Sequence, residues 1–333
     1  MSADSKPLVE CRGLVKTFRL PALAAGPGSR EFRAVDGLSL AVYPGETLAL
    51  VGESGCGKST TGRLLLRLEK PSAGTVTFEG RDLAALSAAR LRTQRSRMQM
   101  IFQDPYGSLN PRLTVGAALA EPLRIHWRLS GKSLRERIAG LLENVGLRPE
   151  HARRYPHEFS GGQRQRIAIA RAVSVNPGFV VADEPVSSLD ISIQGQILKL
   201  LIELKKSLGM AMLFISHDLA VVRQISDRVA VMYRGRLVEL APAGELFSRP
   251  LHPYTRLLLS CVLAPRPGRK GAPPDIRSPE ATGYRGFGCS FAGRCPLEIA
   301  ACTRETPELR ELYPDHYAAC LVAGGKPLPD ISR

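Results

Sequence analysis

The run Thr47-Leu-Ala-Leu-Val51, followed at once by Gly52-Glu-Ser-Gly-Cys-Gly-Lys-Ser59, constrains the fold more than any other stretch. A short apolar run ending in glycine is the pattern of a strand buried on both faces. The spacing Gly-x4-Gly-Lys-Ser then calls for a tight loop and a helix from near Ser59, carrying Leu64, Leu65, Leu66 and Leu68. Glycines let successive backbone N–H groups converge on an anion, and the helix N-terminus adds its positive dipole end. Gly52, Glu53, Ser54, Gly55, Cys56, Gly57, Lys58, Ser59 and Thr60 are therefore candidate nucleotide-binding positions. In such a loop the lysine reaches the β- and γ-phosphates of ATP and the serine ligates Mg²⁺. Cys56 is not a phosphate ligand by type; only its backbone is needed.

Strands alternate with helices along the rest of the chain, which predicts an α/β core with a largely parallel sheet. Residues 8–18 and 38–51 read as strands around a polar insert at 19–33. Further strands are expected at 75–79, 98–102, 179–182 and 212–215, and a hairpin at Val229–Met232 followed by Gly235. Between about 104 and 165 the pattern turns helical, with Leu134, Ile138, Leu141, Leu142 and Val145 at helical spacing, so a helical subdomain is inserted there. A Pro-, Gly- and Arg-rich stretch at 264–280 reads as a linker and divides the chain into 1–260 and 261–333.

No stretch approaches the 18 or more apolar residues of a membrane-spanning helix, and the N-terminus has no apolar signal region. That composition predicts a protein kept in the cytoplasm, held at a membrane only through a partner. Thirteen of the fifteen excess positive charges fall in residues 1–260, with Arg90, Arg92, Arg95 and Arg97 the densest cluster. Such a charge suits nucleic acid, an anionic surface or phosphate chemistry, and equally an ordinary solvated face. Four of the seven cysteines, Cys289, Cys295, Cys302 and Cys320, fall within the last part of the chain. In a cytosolic setting such a group points to a metal rather than a disulfide framework. From spacing alone structural zinc is open, although the usual paired C-x2-C is absent; buried unligated thiols are the remaining reading.

Asp183 and Glu184 follow the apolar run Phe179-Val-Val-Ala182, which places a carboxylate pair at the end of a buried strand. Beside a phosphate loop, the first acid suits Mg²⁺ and the second suits activation of water. His217 follows another buried strand and Gln103 follows the strand at 98–102. Ser160-Gly-Gly162 is a second small-residue turn ahead of a helix, again an N–H anion site.

These elements resemble, in order and spacing, those of ATP-binding cassette (ABC) proteins. Phe159-Ser-Gly-Gly-Gln163 resembles their signature, Phe179–Pro185 their Walker B strand, Ser187-Ser-Leu-Asp190 their D-loop, Ile215-Ser-His-Asp218 their histidine switch and Gln103 their Q-loop. The resemblance covers roughly residues 8–255. It implies a P-loop NTPase (RecA-like) core with a mixed sheet, an inserted helical subdomain and a small C-terminal cysteine-containing extension. It implies catalytic roles for Glu184, His217 and Gln103, with Ser59, Gln103 and Asp183 at Mg²⁺. Ser160, Gly161, Gly162, Gln163 and Asp190 would close over ATP bound to another subunit, so each chain supplies half of each of two sites. Phe18 matches the aromatic position that stacks on adenine; Phe32 and Tyr43 are alternatives.

Phe102-Gln-Asp-Pro-Tyr-Gly-Ser-Leu-Asn-Pro-Arg112 and His252-Pro-Tyr-Thr-Arg-Leu-Leu-Leu-Ser260 look like the ATPase subunits of bacterial oligopeptide/dipeptide importers, the second of their two ATPases most of all. That resemblance implies a sister ATPase, two transmembrane permease subunits contacted through 103–127, and indirectly a periplasmic peptide-binding protein. The expected location is peripheral, on the cytoplasmic face of the inner membrane. It also suggests a [4Fe–4S] cluster on Cys289, Cys295, Cys302 and Cys320, with zinc as the rival. Nickel, glutathione or oligosaccharide are alternative cargoes. A soluble nucleic-acid ATPase of the same class is the rival reading; the single cassette weighs against it, and no nucleic-acid partner is expected.

Overall fold

Two sheets organise the residues that the computed structural model describes, 6–19, 31–263 and 287–323. Strands β1 (Val9–Arg19), β2 (Glu31–Val42), β4 (Ala73–Phe78) and β5 (Arg81–Asp82) make a small antiparallel sheet in the order β2-β1-β4-β5. The larger sheet holds β3 (Thr47–Val51), β6 (Met98–Ile101), β7 (Phe179–Asp183), β8 (Ala211–Ser216), β9 (Arg228–Tyr233), β10 (Arg236–Pro242), β11 (Arg310–Tyr313) and β12 (His316–Ala318). Its order is β11-β12-β10-β9-β3-β8-β7-β6. The five strands from β9 to β6 are parallel, and β10, β12 and β11 continue the sheet antiparallel. The expected mixed sheet is present.

All five residues of β3 are buried, as a central parallel strand requires. Its alternate side chains enter two cores. Leu48 and Leu50 face the small sheet, and Ala49 and Val51 face the helical side. The single strand expected over 38–51 is in fact two strands in different sheets. The break is the turn at Tyr43-Pro-Gly-Glu46, where Glu46 N–H donates to the Tyr43 carbonyl and Gly45 takes φ 70°. Pro44 has no N–H for a ladder and Gly45 tolerates the left-handed region, so the chain leaves one sheet and enters the next. The insert is also shorter than expected: β1 runs to Arg19 and β2 begins at Glu31, while 20–30 lie outside the described residues.

Among the described residues ten α-helices accompany the strands: α1 (Lys58–Leu65), α2 (Ala88–Arg95), α3 (Pro105–Ser108), α4 (Val115–Trp127), α5 (Gly131–Asn144), α6 (Gly161–Val173), α7 (Ile191–Leu208), α8 (Leu219–Ile225), α9 (Ala243–Ser248) and α10 (Pro253–Leu263). Helix α1 ends before the expected leucine stripe does: Leu64, Leu65 and Leu66 are buried and Leu68 is exposed. The inserted helical region comprises α3 to α5 and leads into α6. Leu134, Ile138, Leu141, Leu142 and Val145 bury together, as their spacing predicts. The hairpin expected after Val229 is β9–β10, with Gly235 at φ 81°.

The large sheet crosses the division expected at 260/261. Strand β12 pairs along β10, Glu239 opposite Ala318 and Leu240 opposite Tyr317, so residues of the extension complete the cassette's own sheet. The physical reason is the edge of β10, whose backbone groups would otherwise lack partners. The joint is locked by Glu239, fully buried, whose carboxylate accepts from Leu251 N–H at 2.7 Å, His252 N–H at 2.8 Å and His316 Nε2 at 2.7 Å. The expected linker at 264–280 lies outside the described residues.

Candidate functional site

The C-terminal ends of the parallel strands open onto one cleft of about 450 Å³. This is where open α/β sheets place their ligands. Strand β3 delivers the phosphate loop, β7 delivers Asp183 and Glu184, β8 delivers His217, and β6 delivers Gln103.

The loop is built around two glycines that nothing larger can replace. A Cβ at Gly52, which has φ 152°, would lie 2.1 Å from the Met232 carbonyl oxygen. One at Gly57, at φ 107°, would lie 2.0 Å from the Ala34 carbonyl oxygen. Ser54, Gly55, Gly57, Lys58, Ser59 and Thr60 line the cleft. Lys58 Nζ is folded back on the loop, donating to the carbonyls of Gly52 at 2.8 Å and Glu53 at 2.9 Å. Cys56 is buried, and burial pushes its thiol pKa up, partly offset by Lys58. Its N–H donates to the Glu53 carbonyl at 3.3 Å, and its Sγ lies 3.9 Å from Lys58 Nζ.

Ser59 Oγ donates to Asp183 Oδ1 at 2.8 Å. Asp183 is buried, and that burial raises its pKa, while the Ser59 bond lowers it. A hydroxyl and a buried carboxylate side by side are the oxygen donors a hard divalent cation takes, so these residues fit Mg²⁺.

Glu184 has φ 44°, a left-handed conformation that is costly for a non-glycine residue. Its N–H is held by the Ile215 carbonyl at 3.0 Å. Its carboxylate is gripped from both sides: Gln103 Nε2 lies 2.9 Å from Oε2, and His217 Nδ1 lies 3.1 Å from Oε1. The three residues predicted from separate stretches of sequence are therefore one hydrogen-bonded unit.

Phe18 and Phe32 are cross-strand partners, are both partly exposed and both line the cleft. Two of the three aromatic candidates are thus present together, with Lys16 Nζ 4.9 Å from the centre of the Phe18 ring. Tyr43 sits away from the cleft beside Arg228.

Ser160, Gly161, Gly162, Gln163 and Asp190 do not line this cleft. Ser160 caps α6: its Oγ accepts from Gln163 N–H and its N–H donates to Gln163 Oε1, a reciprocal capping box. A Cβ at Gly162 would lie 2.7 Å from Ile193 of α7, whose N-cap is Asp190. The signature and the D-loop therefore form a second corner, held separate from the phosphate loop of the same chain.

Sequence reasoning missed the residues that hold Glu53. Its N–H donates to Tyr254 Oη at 2.8 Å, and both carboxylate oxygens receive Arg294, each at 3.1 Å. The His252-Pro-Tyr254 stretch was legible only as a marker, because nothing local links it to the loop.

Cys289, Cys302 and Cys320 are buried and Cys295 is partly buried, all as free thiols. Burial raises the pKa of Cys289, Cys320 and Cys295, the last to about 12, and neighbouring cysteines raise them further. The fold thus gathers the group that the sequence spreads out. Among the described residues no three His, Cys, Asp or Glu side chains stand in an arrangement that could hold a metal ion. Nor is any described helix long and apolar enough to cross a membrane.

Comparison with known proteins gives a consistent picture. The family described as ABC transporter matches residues 35–187 and the oligopeptide/dipeptide transporter C-terminal region matches 238–302. A Brucella ovis protein named as a peptide import ATP-binding protein is 49% identical over 319 residues, covering 95% of this chain and 98% of its own. The glutathione import ATP-binding protein GsiA of Salmonella paratyphi A is 54% identical over 318 residues, 95% of this chain and 49% of GsiA. Among solved structures, a dimeric ATP-binding cassette in a post-hydrolysis state bound to ADP and Pi superposes with a TM-score of 0.63 at 29% identity. That match covers 71% of this chain and 98% of the other.

Proposed function

This chain belongs to the ABC transporter ATP-binding proteins that carry the oligopeptide/dipeptide C-terminal region, and on that premise we propose that its ATP hydrolysis energises import of di- and oligopeptides. The observation that carries the catalytic part is the Glu184 carboxylate held between Gln103 and His217. In this reading Lys58 exchanges the Gly52 and Glu53 carbonyls for the β- and γ-phosphates. Phe18 stacks on adenine, with Phe32 beside it. Ser59 and Asp183, with Gln103, would hold Mg²⁺, which would supply the positive charge that offsets the phosphates. Glu184 takes a proton from the attacking water, and His217 orients the carboxylate and meets the γ-phosphate.

The separate corner formed by Ser160–Gln163 and Asp190 supports a head-to-tail pair in which each chain completes the ATP site of the other. The partner is a sister ATPase. A groove of about 350 Å³ between the core and α4, with Leu68, Phe102 and Ile125 exposed on it, supports docking of permease segments at the region 103–127. The chain then works peripherally, at the cytoplasmic face of the inner membrane, with a periplasmic peptide-binding protein delivering cargo to two permeases. Two of the four clustered arginines are engaged within the protein, Arg97 with Glu79 and Arg95 with the Arg67 carbonyl, which weakens the nucleic-acid reading.

The four thiols fit a thiolate-bound metal in number, burial and lack of disulfides; their present arrangement does not converge on one. We assign them a [4Fe–4S] cluster, with zinc as the rival. Iron and sulfide in anaerobically purified protein support the cluster, and zinc at one per chain without sulfide excludes it.

Glu184→Gln should leave ATP binding intact and lower turnover by two to four powers of ten, the usual worth of a positioned general base. Undiminished turnover would remove Glu184 from its role. The 54% identity to a glutathione importer subunit makes glutathione the second cargo reading. Uptake by the reconstituted assembly of labelled peptides against labelled glutathione separates the two.

A further inference from the structure

We propose that Arg294, in the cysteine-bearing extension, is a positioning residue for the phosphate loop, acting through Glu53 so that nucleotide affinity depends on the extension. The proposal rests on the ATP-site reading above and deepens it.

The N–H and the carboxylate of Glu53 are held from distant segments, and its carbonyl from within the loop. Its N–H is bound by Tyr254 Oη at 2.8 Å, its carbonyl by Lys58 Nζ at 2.9 Å, and its two carboxylate oxygens by Arg294 at 3.1 Å each. Arg294 is itself buried, its side chain only 7% exposed, whereas Glu53 is 39% exposed. The partner from the distant segment is therefore the fixed one, and the loop residue is the one being held. Arg294 Nη1 also donates to Tyr233 Oη at 3.0 Å, and its guanidinium lies 5.6 Å from the Tyr233 ring centre and 5.7 Å from that of Phe291. Tyr233, Tyr254 and Phe291 pack with centroids 4.6 to 5.5 Å apart, making a rigid aromatic seat.

The mechanical consequence follows from the loop's position. A planar guanidinium bound to both oxygens of one carboxylate fixes direction as well as distance. Glu53 directly follows Gly52, whose backbone already abuts Met232. Pinning Glu53 at its N–H and its carboxylate fixes the entrance to the turn whose N–H groups must converge on phosphate. Tyr254 belongs to α10, the last described helix of the cassette, and Arg294 lies one residue before Cys295. Two elements far apart in sequence thus meet on one loop residue.

The test is steady-state ATPase kinetics and fluorescent-nucleotide titration on the full chain, assembled with its partner subunits, for Arg294→Ala, Glu53→Ala, the double variant and Arg294→Lys. Each alanine variant should raise the ATP KM and Kd about tenfold, one charged hydrogen bond passed on to the ligand, with kcat within about twofold. The double variant should be no worse than the poorer single variant, because both remove the same link. Arg294→Lys should fall between wild type and Arg294→Ala, since an ammonium cannot span both oxygens. A loss confined to kcat, multiplicative effects in the double variant, or an unchanged KM overturns the proposal. If Arg294→Ala does not fold, Arg294→Lys decides against wild type, because it keeps the charge and loses only the two-point grip; an unchanged ATP KM there is fatal. Wild-type protein that fails to bind ATP would instead sink the ATP-site reading.

Discussion

The nucleotide cleft and the cysteine extension handle polar groups in opposite ways. In the cleft, the side chains at the ends of the strands and of the loop are paired with one another: Ser59 with Asp183, Gln103 and His217 with Glu184. In the extension, the thiols are brought near one another with burial and mutual repulsion raising their pKa values. The cleft is a site organised before its ligand arrives. In the extension the thiols take backbone hydrogen bonds rather than side-chain partners, while the scaffold that carries them is tied to the cassette through Glu239 and Arg294.

The largest effect that bears on this contrast is chemical. In metal-free protein, Cys295, pushed up to about 12, should be alkylated at pH 8 more slowly than in unfolded chain by roughly two to three powers of ten, because thiolate is the reactive form. The sign follows from the raised value: the thiol form is favoured in the fold, and that preference is lost as pH rises from about 9 towards 12. Rates equal to those of unfolded chain would make the extension an open, unstructured segment. The next effect concerns the joint. Glu239→Ala leaves a buried His316 and two backbone N–H groups without their acceptor, which should cost about 3–5 kcal/mol. Thermal unfolding followed by limited proteolysis should show the extension released first; an unchanged melting curve would mean that β12 pairing alone holds it. The smallest expected effect is in the cleft. Phe18→Ala should raise the ATP KM by a factor of about five to ten, the low end of base stacking worth about 1–3 kcal/mol, since Phe32 remains on the same wall. A larger loss would assign the whole adenine contact to Phe18.

The parts of the cleft and of the second corner that were legible are contiguous. Residues 52–60, Asp183-Glu184 and Ser160–Gln163 each lie within one turn, so their geometry follows from local chain direction and capping. The strand over 38–51 was misread because the apolar runs on either side were joined across the local turn signal Pro44-Gly45, at which the chain changes sheet. The His252-Pro-Tyr254 stretch could be recognised but not interpreted, because its purpose is a contact to Glu53 across 201 residues of chain.

The sequence by itself pointed to an ATP-binding chain and singled out the loop, acid pair, glutamine and histidine that the structure gathers at one cleft. Those features depend on residue type at short spacing, and short-range sterics and hydrogen bonding enforce them. Only the tertiary structure decided that Gln103 and His217 meet on one carboxylate. Only it showed that the extension completes the main sheet, and that Arg294 and Tyr254 grip the loop from two distant segments. Those contacts arise because β10 needs a partner along its edge and the buried guanidinium needs a carboxylate, and no local rule names which distant residue will supply either.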